Sequence, residues 1–348
     1  QLSGGDIKWY TDWLAVRGVN LFIPHAFYYS ITGKRKDERP PDVGPNSNWW
    51  KHFKLWSTYM RRLSCLMTDT TALLPVAVLC RNRALEPDAV RPLYEQQVGF
   101  QYLPESVWKD CRVQDGKLHC RSMEFSAVID PEQRFPDAPA LPKDLSTLAD
   151  LQCSPAAPQL RSAHFLRAGS ECWFLVNEGN TDLHTTITLP TTKKIGQYDL
   201  WAGKAARAQA KDFALNLPSR SSLLLFTCEE ADFAALPEQP KPLLLPVPEF
   251  TLKKADGIQV KKTYVAEAEY SAEQANAEYP LLELDAEEMA ELWVNGKFAG
   301  VSFWNKHRFD LKGLLHPGSN AFKLVVTGSL ANRYGKRAVP YGLQEASG

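Results

Sequence analysis

The stretch VRGVNLFIPHAFYYSITGKRKDERPPDVGPNSNWW, residues 16–50, decides the fold of the first part of this sequence. Residues 19–24 (VNLFIP) form a short continuous apolar run, a pattern typical of a strand buried on both faces of a parallel sheet. The loop that follows, residues 25–48, is polar, aromatic and proline-rich, and it is too long to serve only as a connector. We therefore expect a functional loop at the end of a buried strand.

Helical patterns flank this strand and loop. A helix is predicted over residues 6–17, with Asp6 as its N-cap and Gly18 ending it. A second helix is predicted over residues 49–67, where apolar residues recur at helical spacing. Those residues are Trp49, Phe53, Trp56, Met60, Leu63 and Met67. The order of helix, buried strand, long loop and helix is typical of a (β/α)8 barrel with the long loop on its catalytic side.

The rest of the sequence predicts a multidomain α/β plus all-β protein. Residues 71–155 alternate strand and helix patterns and predict a small open α/β domain. Short, evenly spaced strands then predict an antiparallel β-sandwich over residues 156–232. A proline-rich linker, residues 233–250, leads to a β-rich unit over residues 251–348.

A hairpin is predicted within that last unit. Asn295-Gly296 is a strong signal for a two-residue turn between antiparallel strands. Leu292, Val294 and Phe298 cannot all face one side of a regular hairpin. We therefore expect a bulge, or the turn itself, to break the register between them.

The composition excludes several function classes. Lys plus Arg and Asp plus Glu are 40 each, so no net basic field attracts nucleic acid or anionic lipid. No apolar run is long enough for a membrane span. The seven cysteines lack C-x-x-C spacing, which argues against a zinc site. No glycine-rich phosphate loop, nucleophile elbow or metal-binding helix is present, so we expect neither a metal nor another cofactor.

Two of the cysteines flank a predicted hairpin turn at Asp115-Gly116. Cys111 and Cys120 lie at equal distances from that turn along the chain. They either face each other as a pair or, the interpretation that we favour, remain two free buried thiols.

The quoted stretch, with the helix that follows it to Met67, resembles the final barrel strand and loop of clan A glycoside hydrolases, the family 106 α-L-rhamnosidases above all. The shared pattern is an Arg-Gly-x-Asn strand start, a His-x-Phe strand end and a Gly-Pro segment before Trp-Trp. The order of domains is also similar to that of family 42 β-galactosidases. ELWVNGKFAG (291–300), LLHPGSNAFKLVV (314–326) and the later NRYG and VPYGL resemble the galactose-binding-like jelly-roll domain of many such hydrolases.

The resemblance implies a domain plan and a substrate class. Residues 1–70 would be the C-terminal portion of a TIM-barrel catalytic domain, residues 71–155 an amidotransferase-like domain and residues 251–348 a jelly roll. The activity implied is that of a glycosidase acting on carbohydrate, with α-L-rhamnosidase-like specificity. The alternative is a non-catalytic carbohydrate-binding or scaffolding protein. As part of a barrel, the strand at 19–24 would leave apolar side chains exposed wherever its neighbours are absent.

The candidate site lies in the loop beyond that strand. His25 suits hydrogen bonding to a sugar hydroxyl, and tyrosine rings suit stacking on a sugar face. The candidate substrate-binding residues are His25, Tyr28, Tyr29, Arg35, Glu38 and Trp49. Either Trp49 or Trp50 would line the site, although Trp49 fits the helix core better. Both catalytic carboxylates are expected before Gln1, and Glu38 is the candidate acid within the chain.

Overall fold

The computed structural model describes residues 3–37, 40, 42–81, 84–208, 211–256, 260–304, 306–334 and 339–343. The chain is mostly sheet, with few helices, and divides into two compact units. The middle unit comprises Thr11–Phe22 and Tyr59–Gln239. The terminal unit comprises Gln1–Tyr10, Ile23–Thr58 and Pro240–Gly348. Residues of the predicted segment 1–70 therefore belong to both units.

The α-helices are α1 (Gly4–Ala15), α2 (Phe53–Met67), α3 (Pro87–Glu95), α4 (Glu230–Ala235), α5 (Ala272–Ala275) and α6 (Ala331–Tyr334). Short 3₁₀ helices lie at Gly33–Asp37, Trp50–His52, Glu105–Asp110 and Leu145–Thr147. The helix predicted at 49–67 is confirmed, with its first turn in the 3₁₀ form.

The first helix begins earlier than the sequence predicts. The Ser3 hydroxyl accepts the backbone N–H of Asp6 at 3.1 Å, and the Asp6 carboxylate accepts the backbone N–H of Ser3 at 3.0 Å. This reciprocal pair is a capping box, which makes Ser3 the N-cap. The prediction of Asp6 as N-cap is wrong because its carboxylate supplies the other half of the box from inside the first turn.

The buried strand predicted at residues 19–24 is not formed. These residues carry no regular secondary structure, and Leu21 and Ile23 are 67% and 78% exposed. A strand buried on both faces needs a neighbour on each side, and no described strand pairs with this segment. Apolar side chains are therefore left open to solvent, and the (β/α)8 barrel stays a prediction.

The strands of the middle unit are β1 (Thr71–Ala72), β2 (Val76–Cys80), β3 (Phe100–Pro104), β4 (Cys111–Gln114), β5 (Lys117–Cys120), β6 (Met123–Phe125), β7 (Ala127–Ile129), β8 (Gln152–Ser154), β9 (Leu160–Arg167), β10 (Ser170–Asn177), β11 (Leu183–Thr188), β12 (Lys194–Asp199), β13 (Lys204–Arg207), β14 (Asp212–Leu217) and β15 (Ser222–Cys228). One antiparallel sheet has the order β1-β9-β10-β15-β12-β13, and a smaller one has the order β14-β11-β8. The two sheets share one hydrophobic core around Trp173 and Ile187.

A parallel sheet of order β3-β2-β7 forms the other part of the middle unit. Its central strand β2 is buried along its whole length, as the apolar sequence predicts. Val90 and Leu93 of α3 pack on one face of this sheet. Leu118 and Phe125, from the small antiparallel sheet β4-β5-β6, belong to the cluster on its other face.

The strands of the terminal unit are β16 (Leu243–Leu244), β17 (Thr251–Asp256), β18 (Lys261–Tyr270), β19 (Pro280–Leu284), β20 (Met289–Val294), β21 (Lys297–Ser302), β22 (His307–Asp310) and β23 (Gly318–Thr327). They form a sheet of order β17-β18-β23-β20-β21 and a sheet of order β16-β19-β22, which share one core around Leu282 and Leu324.

The hairpin β20–β21 has the geometry that its sequence predicts. Asn295 and Gly296 have φ of 51° and 78°, the positive values that a type I′ turn requires. The strand register shifts between Leu292 and Trp293, which is the predicted break. Leu292 and Val294 are buried, whereas Phe298, which pairs with Trp293 on the returning strand, is exposed.

Candidate functional site

The loop over residues 25–48, in the terminal unit, is organised around one buried carboxylate. Asp42 accepts the backbone N–H of Tyr28 at 2.8 Å and that of Asn46 at 3.2 Å. The Asn46 side-chain amide in turn donates to the carbonyl oxygen of Tyr28 at 2.7 Å. These bonds tie the two limbs of the loop together. A loop held in this way presents its outward side chains in a defined arrangement, which a binding site requires.

His25 and Tyr29 lie on the exposed side of this loop. The side chain of His25 is exposed, and Tyr29 is 99% exposed. An aromatic side chain so fully exposed contributes nothing to a core, and its ring is accessible to a ligand. The Tyr28 ring is half-buried, and its hydroxyl donates to the carbonyl oxygen of Pro40 at 2.6 Å.

Two further predicted residues, Arg35 and Glu38, follow along the sequence of the loop. Arg35 is exposed in the 3₁₀ helix Gly33–Asp37. Glu38 lies outside the described residues. Its role as a binding residue or an acid is therefore a prediction only.

The two tryptophans that follow the loop differ in environment. Trp49 is buried, and its ring packs against Phe53 and Trp56 with centroid distances of 6.4 and 6.3 Å. This position suits packing rather than stacking on a sugar, in agreement with the helical spacing. Trp50 is half-buried and lies 4.8 Å from the Phe53 ring.

Phe27 is a candidate that the sequence analysis did not single out. Its ring is 50% exposed and meets the Trp50 and Phe53 rings edge to face, at 6.1 and 6.0 Å between centroids. An aromatic ring held by two others and open on one side suits contact with the apolar face of a sugar. The His-x-Phe pattern at residues 25–27 carried this signal.

Asp42 was also missed as an individual residue, because it belongs to a run of charged residues in the loop, and such runs are usually solvated. The run comprises Arg35, Asp37, Glu38, Arg39 and Asp42. We expect Asp42→Ala to lower the free energy of unfolding by about 2 kcal/mol, since two backbone donors lose their acceptor. Hydrogen exchange at the Tyr28 and Asn46 amides should accelerate. Asp42→Asn keeps one of the two acceptor oxygens and places an amide NH₂ at the other, so it should protect only one of the two backbone amides. Unchanged exchange in Asp42→Ala would show that Asp42 does not order the loop.

A second buried carboxylate lies elsewhere in the terminal unit. Glu291 of β20 is only 2% exposed and accepts hydrogen bonds from Lys51 Nζ at 2.6 Å and from His52 Nε2 at 3.0 Å. Burial raises the pKa of Glu291, but the bonds from His52 and Lys51 outweigh burial and hold it below its ordinary value. Glu291 is therefore an ionised, fully engaged group and is unsuited to proton transfer.

The terminal unit also contains residues of types that often bind sugars. His307 is buried and donates through Nε2 to the carbonyl oxygen of Ala286 at 2.8 Å. Burial lowers the pKa of His307 to about 4, so the ring is neutral at physiological pH. Arg308 pairs with Glu283 at 2.6 Å. Both side chains are thus engaged in holding the β22 region.

The middle unit has a small cleft at the carboxyl ends of β2 and β7. Its lining includes Cys80, Arg81, Trp108, Asp130 and Glu132. Arg81 and Glu132 form a bidentate ion pair across it. Ligands of open parallel sheets bind at this edge. Burial raises the pKa of the Cys80 thiol, which argues against a nucleophilic thiolate there.

The described part of the chain was searched for metal-binding groups and for membrane-spanning helices. There, no group of three His, Cys, Asp or Glu side chains is placed to hold a metal ion. No helix among the same residues combines the length and apolar character needed to cross a membrane.

No protein-family model and no curated protein matches this sequence. Among solved structures, the chain is similar to a rhamnosidase from Novosphingobium sp. PP1Y, with a TM-score of 0.64 and 14% identity over 95% of this chain and 42% of that one. A GH27 β-L-arabinopyranosidase from Geobacillus stearothermophilus matches 23% of this chain and 19% of its own, with 14% identity and a TM-score of 0.20. The α-galactosidase I from Mortierella vinacea matches 25% of this chain and 25% of its own, with 20% identity and a TM-score of 0.18.

Of these three likenesses, the one to the rhamnosidase extends over nearly all of the chain. It relates nearly all of this chain to less than half the length of the rhamnosidase. At this level of identity the likeness concerns the fold. The fold of this chain therefore resembles that of part of the rhamnosidase structure.

Proposed function

We propose that this chain is the C-terminal portion of a glycoside hydrolase whose substrate is a glycan or glycoside, with a specificity resembling that of α-L-rhamnosidases. The observation that carries the proposal is the match of 95% of the chain to 42% of a rhamnosidase. The motif at residues 16–50 supports the same assignment, because its residues resemble those of the family 106 α-L-rhamnosidases.

In this proposal the loop over residues 25–48 forms one wall of the substrate site. His25 supplies a hydrogen bond to a sugar hydroxyl, and the open rings of Phe27 and Tyr29 contact the apolar face of a sugar. Asp42 keeps the loop in shape from beneath. Residues 1–70 complete a TIM barrel, and residues 71–155, 156–232 and 251–348 form the amidotransferase-like, sandwich and jelly-roll domains.

The catalytic acids belong to the preceding part of the barrel. Most glycosidases need two carboxyl groups about 5–5.5 Å apart for retention or about 6.5–9.5 Å apart for inversion. Asp42 is buried and accepts two backbone hydrogen bonds, so it is not available as an acid. Glu38 alone cannot supply a pair.

We expect the 348-residue chain alone to hydrolyse no aryl glycoside, and the full-length product of the gene to hydrolyse at least one from a panel that includes aryl α-L-rhamnoside. In the full-length protein, His25→Ala should lower kcat/KM about tenfold, the loss of roughly one hydrogen bond. Asp88→Ala, at an exposed position of α3, is the control.

Three results would contradict this proposal. Turnover by the chain alone that Glu38→Gln abolishes would make Glu38 a catalytic acid. Sugar binding without turnover by the full-length protein would favour the non-catalytic alternative. Neither binding nor turnover on any sugar of the panel would remove the assignment to carbohydrate.

A further inference from the structure

Two cysteines of the middle unit lie directly opposite each other in a hairpin. Strands β4 and β5 are joined by Asp115-Gly116, whose φ angles of 51° and 71° fit a type I′ turn. In a two-residue hairpin the pair next to the turn is hydrogen-bonded, and the following pairs alternate between non-hydrogen-bonded and hydrogen-bonded sites. The pair Cys111 and Cys120 is the fourth from the turn and so occupies a non-hydrogen-bonded site.

That site suits a crosslink. Cα atoms in a non-hydrogen-bonded pair are about 4.5 Å apart. Disulfides span Cα distances of about 4.4–6.8 Å, so no backbone movement is needed. Both thiols point the same way, because each Sγ lies near the carbonyl oxygen of Val107, at 3.4 Å for Cys111 and 3.8 Å for Cys120.

The other five cysteines are not arranged in this way. In the strand registers, Cys80 faces Pro104, Cys153 faces Ile187, Cys172 faces Phe165 and Phe226, and Cys228 faces Lys194. Cys65 is exposed on α2. All seven cysteines belong to described residues, and none of them is disulfide-bonded. The hairpin pair is thus the one pair that strand register places face to face.

We propose that Cys111 and Cys120 form an intramolecular disulfide when the protein meets a small-molecule disulfide oxidant. The half-buried Cys111 thiolate attacks the oxidant RSSR, forming a mixed disulfide and releasing RS⁻. The Cys120 thiolate then attacks the Cys111 sulfur and releases the second RS⁻. Overall, two protein thiols and RSSR give one protein disulfide and two RSH.

The crosslink closes the hairpin directly after the 3₁₀ helix Glu105–Asp110, which carries Trp108 to the cleft at β2. The reaction should be slow, because burial and the hydrogen bond with Cys120 raise the pKa of Cys111 to about 12. The oxidised protein should unfold at a higher temperature than the reduced protein, since the crosslink restricts the unfolded chain.

The test is incubation of the chain with oxidised glutathione, followed by blocking of free thiols, denaturation and trypsin digestion without reductant. Trypsin cleaves on both sides of each cysteine and releases DCR (110–112) and LHCR (118–121). We expect these two peptides to be recovered joined. The denatured protein should titrate five thiols instead of seven. Dithiothreitol should restore all seven thiols and the lower Tm.

Cys65→Ser is the matched control, because it removes an exposed thiol and should leave the joined peptides unchanged. Cys111→Ser should abolish them. The proposal fails if oxidation gives glutathione adducts without joined peptides, or joins Cys111 or Cys120 to any other cysteine. Peptide mapping of the wild-type chain decides this even where a serine variant folds poorly.

Discussion

The double variant Lys51→Met, His52→Phe should lose about 3–5 kcal/mol of unfolding free energy at pH 8, because it leaves the buried Glu291 carboxylate without its partners. The replacements keep the shape of the site. Methionine keeps the apolar stem of Lys51. Phenylalanine keeps a ring at position 52, which lies parallel to Phe298 and edge-on to Phe303 at 6.4 and 5.9 Å.

The pH dependence of this loss identifies its cause. In the wild type the pKa of Glu291 is depressed, so its contribution is present at neutral pH and is lost as pH falls through the folded pKa. In the double variant, burial without partners should raise that pKa above the unfolded value of about 4.5. The defect should therefore be small below that pH and grow as pH rises. Urea unfolding at several pH values measures it.

Adding Glu291→Gln to the double variant provides the decisive control. A neutral amide in the same place removes the buried charge, so most of the lost stability should return at pH 8. If the triple variant is as unstable as the double variant at every pH, packing around position 52 and not the charge of Glu291 causes the loss.

The sequence predicted best those features that depend on neighbours along the chain. The α2 repeat follows from helical periodicity, and the turn at Asn295-Gly296 follows from the φ angles that these residues tolerate. Even the register break near Leu292 followed from strand alternation alone. In each case the relevant contacts lie within about ten residues.

Features that depend on distant partners were missed. Residues 19–24 have the composition of a buried strand, but a strand also needs neighbours, which composition does not specify. Glu291 interrupts an apolar strand, and its partners Lys51 and His52 lie some 240 residues away. The role of Glu291 could therefore not be predicted from the sequence.

The candidate site shows the same division. The position of the loop at residues 25–48 was predictable, and so was the core role of Trp49, whereas His25 as a contact residue stays a prediction. The hydrogen bonds by which Asp42 holds the loop could not be predicted, because an aspartate in a charged run is expected to be solvated. Phe27 was overlooked because its exposure depends on how Trp50 and Phe53 hold it.

A buried acid and a half-buried imidazole in the middle unit underlie the last prediction. Burial raises the pKa of Asp150 to about 7 and lowers the pKa of His164 to about 4. The His164 ring stacks on Trp173, with centroids 4.7 Å apart, and its Nδ1 lies 3.8 Å from Asp150 Oδ1. Between pH 4 and 7 both groups are neutral in the folded protein, so this contact is not an ion pair.

These two groups should change stability with pH in opposite directions. From pH 4 to 7 the unfolded state loses the Asp150 proton while the folded state keeps it, so this group lowers stability as pH rises. From pH 4 to 6.5 unfolded His164 still binds a proton that the folded state does not, so this group raises stability as pH rises. In the wild type the two effects largely cancel.

Single substitutions should separate them. Relative to wild type, Asp150→Asn should gain about 4 kcal/mol of unfolding free energy between pH 4 and 7, at about 1.4 kcal/mol per pH unit. On the same basis His164→Gln should lose about 3 kcal/mol between pH 4 and 6.5. Urea unfolding of both variants and the wild type in one buffer series gives these differences directly. If the differences in unfolding free energy between each variant and the wild type do not change with pH, the prediction is wrong. Asp150 and His164 would then be an ionised pair in the folded protein, with the proton on His164.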